Sequence, residues 1–466
     1  MNDTVTAAAR WARFNVETRF EDLPAKVVER AKRHMLDTLG AALAGSAAEP
    51  TRQVVSVFKS DVASGSLPAP IWGTAQCLGP RDAAFANGVA AHALELDDSG
   101  GCDHSGAVVL PAAVAALSAA DQKVSGYELV IAIVLGYDLG RRVLDACGGY
   151  SALNGAGWHS TATCGSLAAA AAAARVLGLS EAQTRSALGH AASFSGGLWA
   201  FIHDGSQTKR LHAGRAAEGG LTACLMARAG LTGPAQVFED VWGGFFNAFA
   251  PASRQPKALL KDLGSVWQLM RCSIKPHASC RSTHAAIDAV LHLTGQNASL
   301  AQRTRRIEVF ASRFVIDMCG GRNLSTLASA QMSLPYAVAV ASVFGDAALE
   351  RYLEPVRADA RVTAAMARVT LRTDPTMTDD DEPLVRIHAE GMAPVSQQVP
   401  VPLGAPDNPL PEPALNDKFH ALASIALPRE RADALARFIL ELDSIGDARA
   451  ILPLLTGHTE RHAAIR

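Results

Sequence analysis

The stretch PAKVVERAKRHMLDTLGAALAG, residues 24–45, decides how the chain is read. Pro24 suits a helix start, because its missing N–H is one the first turn leaves unpaired anyway. Val27, Val28, Ala31, Met35, Leu36, Leu39 and Ala42 recur at i, i+3/i+4 spacing and mark one apolar face. Ala and Gly are common on that face, and small side chains let helix axes approach closely. The pattern predicts one helix of a dense bundle.

Outward from this stretch the same period recurs. Asp82 to Leu96, Ala112 to Ala120, Gly126 to Cys147, Ser160 to Leu177, Glu181 to Ser193 and Arg215 to Arg228 all read as helices. The character changes after about residue 268. Thr283 to Leu293 is one more helix. Three β-rich stretches follow, RIEVFAS (306–312), RVTLRT (368–373) and LVRIH (384–388), with helical segments Ala328–Phe344 and Ala348–Tyr352 between them. Turn-rich DPTMTDDDEP (374–383) bounds the strands. Helices return at Pro413–Ala423, Glu430–Leu442 and Asp447–Leu455. The expected fold is mainly α: a large all-helical domain from residues 1–268 and 405–466, and a smaller inserted α/β lid over 269–404.

The 466 residues suggest about two or three domains, and with 49% hydrophobic and 19% charged residues the chain can bury a large core. A net charge of −2 supplies no cationic face for nucleic acid or a membrane surface. No apolar run approaches the ~18 residues of a membrane span; Leu129 to Gly136 comes nearest. The first 24 residues are too charged for a secretory signal. Eight cysteines scattered over a long chain imply reduced thiols and a cytoplasmic setting. Neither a Walker loop nor a strand-borne GxGxxG calls for a nucleotide, and no GxSxG elbow supports a hydrolase.

Four segments carry residues suited to chemistry. HALELDDSGGCDHSG (92–106) leaves a helix and holds Glu95, Asp97, Asp98, Asp103 and His104 on a Gly-rich loop, the equipment of proton transfer. GAGWHS (155–160) puts His159 near a helix N-terminus, where the dipole favours neutral imidazole, a base or a hydrogen-bond donor. DGSQTKRLHAGR (204–215) gathers Lys209, Arg210, His212 and Arg215 before a helix, and a bound anion would offset their clash with its dipole. CSIKPHASCRSTH (272–284) has zinc-like spacing at Cys272, His277, Cys280 and His284. It lacks the tight CxxC pairs of a structural site, and Lys275 and Arg281 would repel a dication, so a carboxylate-binding cluster is the better reading.

Together these segments resemble the MmgE/PrpD family of 2-methylcitrate dehydratases, cis-aconitate decarboxylases and iminodisuccinate epimerases. The resemblance rests on MLDTLGAALAG (35–45), ANGVAAHALELDD (86–98), HSGAVVLPA (104–112), GWHS (157–160), LGLSEAQ (177–183), QTKRLHAGRAAEGG (207–220) and KPHASCRSTHAAIDA (275–289), in that order. It implies a helical domain with an α/β lid, a cleft site between them, a homodimer and no cofactor or metal. By motif it implies active-site positions His104, His159, Lys209, Lys275 and Tyr336, with Glu95 and Ser99 where the decarboxylase-like members have Asp and Thr. The chain departs from the family pattern at Ser105, where a Pro is usual, in a shortened loop from Asp98 to His104, and at His277-Ala278, where an aromatic-Pro pair is common.

The chemistry expected is cofactor-independent proton abstraction and return at a carbon alpha to a carboxylate of a di- or tricarboxylate. His104, His159, Lys209 and Tyr336 are the catalytic candidates, and Glu95, Ser99, Lys275 and Arg281 the substrate-binding ones. Lysines and arginines would stabilise the enolate-like charge, with one His as base and Tyr336 or the other His as acid. The altered loop leans the reading to epimerisation of an iminodisuccinate-type substrate, with dehydration or decarboxylation as alternatives. A non-catalytic carboxylate-binding protein and a zinc hydrolase are the readings from other classes.

Overall fold

The computed structural model describes residues 5–58 and 68–457, so both ends of the helical domain drawn from the sequence, 1–4 and 458–466, lie outside the described residues. The deciding stretch forms one helix, Ala25–Gly45, with Pro24 at its N-cap. One face of it buries Val27, Val28, Ala31, Met35, Leu36, Leu39, Ala42 and Leu43 in a large helical core, whereas Ala41 and Ala44 near its end belong to a second core. The first core draws on residues from Ala8 to Ile274 and again from Leu410 to Leu455. The second draws on Ala278 to Ala389, closed by Ala93, Leu94, Leu96 and Leu422.

Small residues set the helix spacing. A Cβ on Gly45 would lie 1.9 Å from the Ala90 carbonyl oxygen of helix Pro80–His92. A Cβ on Gly88 would lie 2.9 Å from the Cα of Gly214 in helix Thr208–Arg228. Helix Ser105–Ala119 is buried on nearly all sides, and so is the alanine-rich Gly165–Val176, which packs between Gly126–Ala146 and Thr208–Arg228.

The second core backs a four-stranded mixed sheet in the order Val369–Thr373, Thr304–Ala311, Leu384–Ala389, Val395–Gln398. The first pair is parallel and the other two antiparallel. Helices between Arg313 and Ala367 make the crossover that the parallel pair requires. The three β-rich stretches are strands, and the fold is mainly α with a small α/β part. Val395–Gln398 escaped the sequence reading because its VSQQ pattern carries one apolar residue. Helices Ala7–Glu17 and Glu49–Val57 were also not anticipated.

Two helix starts differ in a way that moves functional residues. The helix read from Arg215 begins at Thr208, so Lys209, Arg210 and His212 sit on its first turns rather than in a loop. The helix read from Ala112 begins at Ser105, with His104 at its N-cap. No helix among the described residues is long and apolar enough to cross a membrane, and all eight cysteines are free thiols.

Candidate active site

Helix Pro80–His92 ends at a bend where Glu95 adopts φ 53°, a left-handed conformation that costs a non-glycine residue energy. The bend turns the Glu95 side chain inward, where it is fully buried. Lys209 and Arg210 of helix Thr208–Arg228 reach the same carboxylate oxygen, Arg210 at 2.5 Å. Lys275 reaches the other oxygen at 3.2 Å and the Glu95 carbonyl at 3.3 Å. Burial pushes the Glu95 carboxyl up, but Lys209, Lys275 and Arg210 together hold it well below the usual range. Glu95 likewise raises Lys275 against the lowering effect of burial.

The loop after Glu95 supplies a second layer. Asp97 accepts from His92 Nδ1 at 3.1 Å, and its carboxylate lies 3.0 Å from His104 Nδ1. Asp98 caps helix Ser105–Ala119 through the Gly106 N–H at 2.9 Å, accepts from Tyr137 at 2.6 Å, and lies 3.0 Å from His34. Its carbonyl also lies 3.0 Å from His104 Nδ1. Ser99 pairs with Ser273 across an antiparallel bridge, which ties this loop to the segment carrying Lys275. Asp103, at φ 97°, turns its carboxylate to 3.4 Å from His104 Nε2 and 3.9 Å from His159 Nε2.

These environments split the histidines. Burial lowers His104, but Asp103 and Asp97 outweigh it and raise its pKa, favouring imidazolium. Burial, then His212 and Lys209, hold His159 well below the usual value, so it is neutral. His212 falls to about 4 through burial and Lys209, and His92 to about 3 through burial. His159 Nδ1 lies 2.9 Å from His212 Nδ1, while its Nε2 is buried without a hydrogen-bond partner. One site therefore sets an imidazole whose charged form is favoured about 6.3 Å, by ring centroid, from one whose charged form is disfavoured.

A cavity of about 620 Å³ opens onto this cluster between the two cores. Glu95, Ser99, Asp103, His104 and Lys209 line it from the helical side, and Arg281, Phe314 and Met332 from the other. Arg141 and Arg271 stand at its wall and share Asp145, each at 2.9 Å. Arg281 pairs with Glu382 at 2.9 Å. Asp379 and Asp380, from the turn-rich segment, complete the rim.

The structure thus brings Glu95, Ser99, His104, His159, Lys209, Lys275 and Arg281 to one place. It does not bring Tyr336 there. The Tyr336 hydroxyl donates to the Arg351 carbonyl at 2.6 Å, its ring packs on Tyr352, and burial pushes its pKa up. Its helix turns that face into the second core, so the acid role foreseen for it has no geometric basis. Cys272, His277, Cys280 and His284 do not converge as zinc ligands: His277 bonds Asp288 at 2.9 Å and His284 reaches the Ser279 carbonyl. The sequence reading names Asp97, Arg210 and His212 in its chemistry-bearing segments without assigning them to the site, and it does not single out His92. A buried Asp between two histidines leaves no local mark in sequence.

The model of the MmgE/PrpD N-terminal domain matches residues 9–257, and that of the MmgE/PrpD C-terminal domain residues 277–444. A cis-aconitate decarboxylase-like protein of Aspergillus oryzae is 30% identical over 467 residues, covering 95% of each chain. The cis-aconitate decarboxylase of Aspergillus terreus is 30% identical over 460 residues, 93% of each. That of Homo sapiens is 28% identical over 453 residues, 93% of this chain and 91% of its own.

Proposed function

The chain belongs to the MmgE/PrpD family, and from that premise we propose that it is a lyase that cleaves a small polycarboxylate by decarboxylation, in the manner named for its relatives. The observation that carries the reading is His104, set between Asp97 and Asp103 on the wall of the cavity, where the two carboxylates favour its charged form. Decarboxylation breaks a C–CO₂⁻ bond, releases CO₂ and leaves an electron pair on carbon. That pair delocalises toward a neighbouring carboxylate until a proton arrives. His104, which lines the cavity, is the donor through Nε2–H, and neutral His159 lies behind it with Nε2 3.9 Å from Asp103. Three cations face one carboxylate at Glu95, and Arg141 and Arg271 share a single Asp145. The surplus positive charge suits a polyanion and the enolate-like charge of the transition state.

The lean to epimerisation drawn from the loop at 98–106 finds no support in the relatives, whose names are those of decarboxylases. Incubation with cis-aconitate in D₂O distinguishes the readings. The expected result is CO₂ with one deuteron in the product. Release or uptake of water without CO₂ would make it a dehydratase, and α-hydrogen exchange with loss of optical rotation on a chiral dicarboxylate an epimerase. Absence of turnover across a panel of di- and tricarboxylates that nevertheless bind would leave a carboxylate-binding protein.

A further inference from the structure

Three donor atoms, two on the cavity wall and one buried just behind it, have the spacing of a metal site. His104 Nε2 and His159 Nε2 lie 3.4 and 3.9 Å from Asp103 Oδ2, and all three donors lie within 4.8 Å of one another. Ligands with bonds of about 2.0–2.1 Å to a tetrahedral ion stand roughly 3.3 Å apart, so a small inward shift would complete the contact. His159 Nε2 is buried and has no hydrogen-bond partner. The far nitrogen of each ring is already engaged, His104 Nδ1 on the Asp98 carbonyl with the Asp97 carboxylate beside it, and His159 Nδ1 on His212. Outer partners of this kind orient ligating imidazoles and present Nε2 forward. Asp103 and His104 line the cavity, leaving room for solvent or substrate at further coordination positions.

The negative charge nearest the three donors is local: Asp103 supplies one carboxylate and Asp97 a second behind His104, while the excess of positive charge, Lys209, Arg210 and Lys275, is drawn to Glu95. The overlapping trio His92, Glu95 and His104 is less suited, because Glu95 is already engaged by three cations.

We propose that Asp103, His104 and His159 form a site for a first-row divalent transition cation, Zn²⁺ being the best match, and that its occupation inhibits the enzyme. Two imidazoles and one carboxylate with open positions are the donor set for such ions. The metal takes the Nε2 atoms on which proton transfer depends, so cation and substrate exclude one another. The inhibitory half rests on the reading under Proposed function, whereas the binding half does not.

The test titrates the full chain, freed of metal by chelation, with Co²⁺ as a visible probe and then displaces it with Zn²⁺. One equivalent of Co²⁺ per chain is expected, giving absorption bands typical of nitrogen and oxygen ligation. Asp103→Asn and His159→Gln should each weaken binding at least tenfold, while His277→Asn, on a histidine paired elsewhere, leaves it unchanged. Absence of bands at millimolar Co²⁺, or binding indifferent to both substitutions, overturns the site. Anomalous diffraction from unmodified protein soaked in Zn²⁺ supplies an arm free of folding defects, and a peak away from the three residues overturns it equally. Zn²⁺ bound there without slowing turnover overturns the inhibition. Cobalt bands from a chain that turns over no polycarboxylate sustain the site and sink the decarboxylase reading alone.

Discussion

At the scale of single residues, the site turns on two carboxylates that face inward. Asp97 contacts both His92 and His104, and its negative charge helps keep His104 protonated. A donor with a raised pKa is competent below that pKa and lost as pH rises through it. Asp97→Asn should therefore move the alkaline limb of the pH–rate profile toward lower pH and reduce kcat about 10- to 100-fold. A limb that stays in place would remove Asp97 from this role. Glu95 has the larger structural consequence. Glu95→Gln leaves Lys209, Arg210 and Lys275 buried without their counter-charge, and truncating one partner of such a network costs about 3–5 kcal/mol. Urea denaturation at neutral pH measures it, and a loss under 1 kcal/mol would show that solvent screens the cations. The chemistry-bearing residue types were legible in the sequence, but their pairing was not. Lys209 and Lys275 read as cations awaiting a substrate, yet Glu95 lies between them from 114 and 180 positions away. A motif names side chains, and only tertiary contact decides which charges are already spent.

At the scale of elements, the geometry of the site is the spacing of two helices. Pro80–His92 delivers the bend at Glu95, and Thr208–Arg228 delivers Lys209, Arg210 and His212. They meet through glycines. A Cβ on Gly214 would lie 2.5 Å from the Phe85 carbonyl oxygen, which backbone on the facing helix cannot easily yield. Gly214→Ala should cost about 1–3 kcal/mol as an overpacked contact. It should also lower kcat/KM, because separating the helices draws Lys209 and Arg210 from Glu95. A thermal melt together with steady-state kinetics checks both, and unchanged values would mean that the helices repack elsewhere. Helix period alone made most of this architecture readable, since long amphipathic or Ala-rich runs admit few alternatives. It failed where a helix begins among charges. TKRLHAG looked like a loop because cations at an N-terminus oppose the dipole, and the buried Glu95 that offsets them is invisible to a local reading.

At the scale of the molecule, two cores meet along the cleft, and acid should loosen that meeting. His92 and His212, lowered to about 3 and about 4, and His159, lowered further than its ordinary range, stay neutral in the fold while the unfolded chain protonates them near 6.5. The unfolded state then binds more protons between about pH 6.5 and 4, so stability falls as pH drops through that window. His104 runs the other way: its raised pKa stabilises the fold below 6.5, and that contribution is lost as pH rises through the folded value. His284 is lowered too, by burial first and then His277, so four lowered histidines outnumber one raised. The unfolding free energy should therefore be smaller at pH 5 than at pH 7.5, by up to roughly 2 kcal/mol per lowered histidine. Equal urea midpoints at the two pH values would contradict this. The joint itself is pinned by Gln331, fully buried between the cores. Its side-chain N–H groups donate to the carbonyls of Leu94 and Ala278, at 2.7 and 3.1 Å, and its side-chain oxygen accepts from Arg210 at 3.0 Å. Gln331→Leu keeps the volume but strands two carbonyls and an arginine N–H, each worth about 1–3 kcal/mol when left unpaired. Arg210 also holds Glu95, so the loss reaches the cleft as well as the seam. The variant should melt earlier and show faster amide exchange in residues 278–350 than in the helical core around Leu129–Leu144, with a raised KM. Uniform acceleration across both cores would mean that Gln331 supports the molecule as a whole and not the junction between its two parts.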